Sequence, residues 1–179
     1  GQVESGLSAQ GRLADWLRTH VRPFDGPLRL HQLTGGQSNP TYRVEAGEHR
    51  WVLRRKPAGV LLASAHAIDR EYRVMKALAG SAVPVPAVHA YCEDDAILGA
   101  PFYVMDFVDG RIVRDATGAE ALTLDERARA GESLVDVLAR IHSVDVDAIG
   151  LGDLGRRDGY IERQLKRWYG QFLKSKTRE

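Results

Sequence analysis

Apolar positions along this chain follow two different periods. Between Leu7 and Val21 they recur at Leu13, Trp16, Leu17 and Val21, three and four residues apart, which predicts an amphipathic helix with Ser8 as its N-cap and Pro23 as its stop. From Leu28 to Leu33 the pattern turns to alternation. It returns at Thr41 to Glu45 and at Arg50 to Arg55, around the turn Ala46-Gly47-Glu48-His49, and so predicts three antiparallel strands in sequence. A second helix, capped by Ser64, runs to about Ala79 and is ended by Gly80. The prolines of VPVPAV then open an extended segment near Ala87 to Cys92, and Asp94-Asp95 with Gly99 make a turn before the apolar strand Phe102 to Val108.

After Gly110 the composition changes and only helices are predicted. Thr123 and Glu126 form a capping box for one whose apolar residues Leu134, Val135, Leu138 and Ile141 share a face. Another covers Tyr160 to about Lys174. Helix, three strands, helix, two strands and then helices alone describe an α+β half followed by the beginning of a helical half. There is no internal repeat, and the basic tail KSKTRE carries no apolar anchor, so the chain reads as interrupted rather than finished.

With 179 residues, 44% of them hydrophobic and 27% charged, the chain is long enough for one sizeable core. The formal net charge of +1 gives no bulk attraction for nucleic acid or an acidic membrane, so any bound anion has to be met locally. A single cysteine, Cys92, excludes an internal disulfide framework and suits a reducing compartment. No apolar run approaches the ~20 residues needed to span a bilayer, and no signal pattern opens the chain; the expected location is the cytoplasm.

Three places are suited to chemistry. The first is Gly35-Gly36-Gln37-Ser38-Asn39 between two strands, where adjacent glycines let backbone amides approach an anion and Ser38 and Asn39 add side-chain donors. A hairpin turn that needs positive φ accounts for the glycines equally well. The second is Arg54 with Glu71. Side chains alternate along a strand, so Arg54 and Val52 face away from Trp51, Leu53 and Arg55. Glu71 shares a helix stripe with Ile68, Met75 and Leu78, and no basic residue lies three or four positions from it. A carboxylate on a buried stripe needs a cation from another element, and strand three is the nearest source; at the stripe's edge it would instead reach solvent. The third is Phe102 to Gly110, an apolar strand leading into a glycine at the composition change, as a hinge between lobes or as an ordinary core strand with a terminal turn.

Taken in order, GGQSNPTYRV, WVLRRKPAG, AIDREYRVMKAL, PVPAVHAYCEDDAILGAPFYVMDFVDG and LARIHSVD resemble the aminoglycoside phosphotransferase (choline kinase-like) superfamily. The branch most similar to them includes the kinase domains fused to acyl-CoA dehydrogenases. The resemblance runs from about Leu30 to Phe172. It implies a protein-kinase-like fold: an N-lobe over residues 1–108 with a five-stranded antiparallel sheet and a helix, then a hinge exit and the first helices of a helical C-lobe over 109–179. It also implies roles. Gly35, Gly36, Gln37, Ser38 and Asn39 would cover the phosphates of ATP, and Arg54 would contact them while pairing with Glu71. Arg54 stands where many kinases have lysine, and a guanidinium can still grip two oxygens. Val52 and Met105 would line the adenine pocket, with the Asp106 carbonyl and the Val108 amide reading the adenine edge.

The H-G-D-x-x-x-x-N motif, which in this family supplies the catalytic aspartate and an asparagine for magnesium, and the aspartate that follows it, are absent from these 179 residues. In His142-Ser143-Val144-Asp145 the aspartate is three residues from the histidine rather than two. The resemblance gives His142 a structural, hydrogen-bonded place at a helix end, and Asp145 and Asp147 read as a solvated turn. Arg163, Arg167 and Trp168 lie on the helix near which an acceptor docks, where they meet a negatively charged or planar group, or else form a basic face with Leu165 and Trp168 packed inward. The implied activity of the complete protein is transfer of the ATP γ-phosphoryl group to the hydroxyl of a small molecule with Mg2+, with no catalytic residue or metal ligand in this chain. A second chain carrying the rest of the C-lobe is one source of the missing groups. The alternative function is a non-catalytic nucleotide-binding or protein-interaction module.

Overall fold

The computed structural model describes residues 2–33, 39–57, 68–113 and 115–175, with backbone alone at 2–8 and 174. Helix α1 (Gln2–His20) is followed by strands β1 (Leu28–Gln32), β2 (Thr41–Ala46) and β3 (His49–Arg55), helix α2 (Ile68–Leu78) and strand β4 (Val88–Cys92). Then come α3 (Asp95–Leu98), β5 (Phe102–Asp106), α4 (Ala116–Glu120), α5 (Leu124–His142) and α6 (Tyr160–Ser175). Packing divides the chain into two compact units, residues 1–144 and 145–179.

Local chemistry explains most element boundaries and two departures from expectation. Helix α1 begins at Gln2, so Ser8 lies inside it rather than capping it. Nothing among residues 2–8 except Gly6 opposes helix, and an interior serine costs only a few tenths of a kcal/mol, roughly, relative to alanine. The expected Ser64 cap lies outside the described residues. The turn at Asp94 to Gly99 is a single helical turn, α3: the Asp94 carboxylate accepts from the Ala96 N–H at 2.8 Å, and Gly99, at φ +76°, donates its N–H to the Asp95 carbonyl at 2.6 Å. A tight turn and one helical turn use the same capping residues, which is why the sequence pattern fits both. At α5 the expected capping box is present, with the Thr123 hydroxyl accepting from the Glu126 N–H and the Glu126 carboxylate accepting from the Thr123 N–H.

The sheet has the order β1-β2-β3-β5-β4, with every neighbouring pair antiparallel. The two-residue turn Gly47-Glu48 joins β2 to β3. Gly47 has φ +58°, and a Cβ there would stand 2.8 Å from the Asp25 carbonyl oxygen, so only glycine fits both the backbone and the space. On one face of the sheet, Leu13, Ala14 and Leu17 of α1 are buried against Val44, Ala46, Trp51, Leu53, Phe102 and Val104. Trp16 meets Phe102 edge to face at 4.9 Å between centroids. Arg55 shares this face and donates to the Leu98 carbonyl at 2.9 Å, tying α3 to the sheet. Because side chains alternate, the opposite face carries Val52, Arg54, Tyr103 and Met105, and α2 packs against β4 and β5.

In the second unit, the Asp145 carboxylate accepts from the N–H groups of Asp147 and Ala148 at 3.0 Å each, Asp147 pairs with Arg157, and Leu151 is buried ahead of α6. Among the described residues no helix is long and apolar enough to cross a membrane. The apolar residues Leu134, Val135, Leu138 and Ile141 of α5 do share a face, and all four are exposed.

Leu17 is fully buried between α1 and the sheet, so Leu17→Ala should lower unfolding free energy by about 3 kcal/mol in chemical denaturation. Leu138→Ala on the exposed face of α5 should stay within about 0.5 kcal/mol of the parent. Equal losses at the two positions would contradict this description of the core.

Candidate functional site

The face of the sheet away from α1 carries one connected polar cluster. Register sets Arg54 directly opposite Thr41 on β2 and Tyr103 on β5, and α2 brings Glu71, in its first turn, over the same place. The Arg54 guanidinium is bidentate on Glu71: Nε donates to Oε2 at 2.8 Å and Nη2 to Oε1 at 3.1 Å. Nη1 donates to the Thr41 hydroxyl at 3.2 Å, and that hydroxyl donates to the Asn39 carbonyl at 3.1 Å. Each Glu71 oxygen takes a second donor as well. The Asn39 amide donates to Oε1 at 3.2 Å and the Tyr103 hydroxyl to Oε2 at 2.9 Å.

The pair lies between bulk water and the core. The Glu71 side chain is 38% exposed and that of Arg54 27%, so the expectation of a stripe carboxylate paired with the strand-three cation and that of a carboxylate reaching solvent are each met in part. Four donated hydrogen bonds meet the two carboxylate oxygens at that depth. Tyr103 is buried. Burial, then the neighbouring Glu71 charge and the hydrogen bond it donates to Glu71, push its phenol well above the usual tyrosine range, against a smaller opposing effect from Arg54. Asn39 is only 4% exposed, and its Oδ1 has no hydrogen-bond partner among the described residues. A buried carbonyl oxygen left unpaired is costly, which sets Asn39 apart from an ordinary turn residue.

Thr41 was not among the candidates in the sequence, and Tyr103 entered only as part of the Phe102 to Gly110 segment, with no role of its own. The alternation of Phe102 to Asp106 already places Tyr103 on the Arg54 face; that its hydroxyl reaches the α2 carboxylate depends on how far α2 sits above the sheet, which periodicity does not encode.

The other candidates fall around this cluster. Gly35, Gly36, Gln37 and Ser38 lie outside the described residues. Val52 is buried beside Arg54 and pairs in register with the partly buried Met105. Asp106 donates its N–H to the Ala87 carbonyl at 2.8 Å and turns its carboxylate to the opposite face, where it meets His89 Nε2 at 2.6 Å. Val108 is exposed beyond the strand end. Arg50, paired with Asp109 at 3.6 Å and lying 5.3 Å over the Phe107 ring, ties this segment to β3.

Two expectations are corrected. Leu165 and Trp168 do not pack inward: both are exposed on α6, with Ile161, Tyr169 and Phe172, since helical spacing defines a face without supplying a partner for it. Arg163 of the same helix donates to the Asp158 and Arg156 carbonyls, and Arg167 is exposed. His142 is also exposed, and its ring forms no hydrogen bond among the described residues; the end of α5 is closed instead by Ser143, whose N–H and hydroxyl both bond the Ala139 carbonyl. Among the described residues no group of three or more His, Cys, Asp and Glu side chains is arranged to hold a metal ion.

Comparison with known proteins places this geometry. The model of the phosphotransferase enzyme family matches residues 29–179. The chain is 45% identical over 152 residues to mouse acyl-CoA dehydrogenase family member 10, covering 85% of this chain and 14% of that protein. It is 43% identical over 147 residues to chicken acyl-CoA dehydrogenase family member 11, covering 82% of this chain and 19% of that protein. It therefore spans less than a fifth of either relative. A crystal structure of a Ralstonia eutropha JMP134 protein assigned as an aminoglycoside phosphotransferase superposes with a TM-score of 0.78 at 41% identity, over 94% of this chain and 48% of that one. The five-stranded antiparallel sheet with its helices is thus the α+β, protein-kinase-like fold of that neighbour.

The raised Tyr103 pKa has a defined sign for stability. The folded chain keeps this proton to higher pH than the unfolded chain, whose tyrosines titrate at about pH 10. The contribution is complete below about pH 10 and is lost as pH rises further. Tyr103→Phe should flatten the alkaline decline of the denaturation midpoint, and an unchanged decline would contradict the assignment.

Proposed function

Because this chain belongs to the phosphotransferase enzyme family, we propose that it is the ATP-binding portion of a small-molecule kinase, in which Arg54 meets the nucleotide phosphates. The observation that carries this reading is the edge-on pairing of Arg54 with Glu71. A guanidinium has five N–H groups; among the described residues three are donated to Glu71 and Thr41, which leaves two, one each on Nη1 and Nη2. The remaining N–H of Nη2 lies at the end of the group, away from the edge that Glu71 occupies, and together with Nη1 it suits two oxygens of a phosphate. A lysine at this position would have to share one nitrogen between carboxylate and phosphate.

The remaining assignments follow from placement. Residues 1–108 act as the N-lobe, with Gly35, Gly36, Gln37, Ser38 and Asn39 over the phosphates, and residues 109–179 as hinge exit and the start of the helical lobe. Val52 and Met105, adjacent across β3 and β5, offer the apolar surface for adenine, and the Asp106 carbonyl and Val108 amide read its edge. Anchoring of the Asp106 amide to Ala87, and of Asp109 to Arg50, supports a fixed hinge backbone. Magnesium is the expected metal, held by carboxylates outside the described residues, where it would offset the phosphate charge during transfer. The exposed apolar residues of α5 and α6 are the kind of surface that the rest of a helical lobe covers, carried on the same polypeptide or on a second chain. The acceptor is a hydroxylated small molecule, with Arg163, Arg167 and Trp168 as candidate contacts. The acyl-CoA dehydrogenase relatives make a hydroxyacyl thioester at least as suitable as an aminoglycoside. The protein acts in the cytoplasm on this reading.

Calorimetric titration with ATP and with adenosine separates the phosphate contact from the base contact. Arg54→Ala should weaken ATP binding about tenfold and leave adenosine unchanged. Unchanged ATP affinity would contradict the reading in favour of a scaffold role. Residues 1–179 alone should give no magnesium-dependent phosphoryl transfer, since the H-G-D-x-x-x-x-N motif is not among them; measured turnover would overturn the division of roles.

A further inference from the structure

Arg54 can present either of two edges to a carboxylate, the Nε–Nη2 side or the Nη1–Nη2 end, and only the first leaves the end of the guanidinium for another anion. Arg54 and Glu71 alone do not choose between them. Both edges give two parallel hydrogen bonds, and a carboxylate on a half-exposed helix turn can rotate from one to the other. Two further donors make the choice here. The Tyr103 hydroxyl at 2.9 Å fixes Oε2, the oxygen that faces Nε, and the Asn39 amide at 3.2 Å fixes Oε1, the oxygen that faces Nη2. Tyr103 is 1% exposed, Asn39 is 4% exposed, and neither can follow a carboxylate that swings away.

We propose that Tyr103, assisted by Asn39, is a positioning residue for phosphate recognition: it holds Glu71 on the side edge of Arg54 and so keeps the end of the guanidinium open for the nucleotide. This rests on the nucleotide reading above and adds to it a residue that makes no contact with the ligand. Without the phenol donor, Oε2 keeps only the Nε bond. With the Asn39 amide as its one remaining donor outside Arg54, Glu71 can turn toward the Nη1–Nη2 end, displacing Thr41 from Nη1 and competing there with the phosphate. The effect depends on the two-edged shape of arginine. A lysine ammonium has no alternative edges, so the phenol should cease to matter once Arg54 is replaced by lysine.

The test is a double-substitution cycle read by calorimetric binding of ATP and of adenosine. Tyr103→Phe should lower ATP affinity about fivefold with adenosine affinity unchanged. In the Arg54→Lys background the same substitution should change the ATP-to-adenosine ratio by less than about twofold. An equal loss of ATP affinity in both backgrounds, or an equal loss for ATP and adenosine, would show a general structural role and overturn the proposal. If the unsubstituted chain binds adenosine but gains nothing from the phosphates, the nucleotide reading of Arg54 fails first, and this proposal fails with it. Should Tyr103→Phe not fold, as judged by its denaturation midpoint, Asn39→Ala removes the donor from the other oxygen and should lower the same ratio with Arg54 present but not in the Arg54→Lys background; an unchanged ratio, or an equal loss in both backgrounds, would overturn the proposal.

Discussion

Glu71 and Arg54 each give up part of their hydration to lie between α2 and the sheet, and each recovers it through the other. A carboxylate at that depth needs all its lone pairs met, and four donors from Arg54, Asn39 and Tyr103 meet them. The requirement reaches outward. It fixes how close α2 stands to β5 and which face β3 turns to α2. It also fixes where the segment entering β2 through Asn39 and Thr41 must run. A change in any one of these would leave a partly buried charge short of a partner.

Two unlike faces of one sheet make this arrangement possible. Apolar close packing of α1 against Trp51, Leu53, Phe102 and Val104 gives β3 and β5 rigid positions, so the residues alternating with them are rigid too. Polar groups on the second face therefore stand on a scaffold whose apolar packing lies on the other side of the sheet, a suitable basis for a binding site. Arg55 shows the contrast within one dipeptide: adjacent to Arg54, it points to the α1 face and ties α3 to the sheet.

Most of this architecture was legible from short-range pattern. Period-two alternation separated Arg54 from Trp51 and Leu53, and the missing basic neighbour of Glu71 on its own helix pointed to a cation from another element. What the pattern did not carry was anything set by distance between elements. Tyr103 looked like one more apolar-strand residue because its hydroxyl acquires meaning only once α2 stands above it. Asn39 was read as part of a phosphate-covering loop, and that reading carried no sign that its side chain is buried and bonded to Glu71. Helix faces misled in the opposite direction: Leu165 and Trp168 are spaced as a packed stripe is spaced, and spacing alone does not say whether a partner is at hand.

The central claim is that one guanidinium serves a carboxylate on its side edge and a phosphate at its end. Nitrogen NMR of the Arg54 side chain tests it most directly, because Nε and the two Nη groups are read separately. On addition of ATP the account predicts that the Nη resonances shift while Nε keeps the position of a group hydrogen-bonded to Glu71, and that adenosine causes neither change. A shift at Nε with the Nη groups unaffected, or no ATP-dependent change at all, would contradict it.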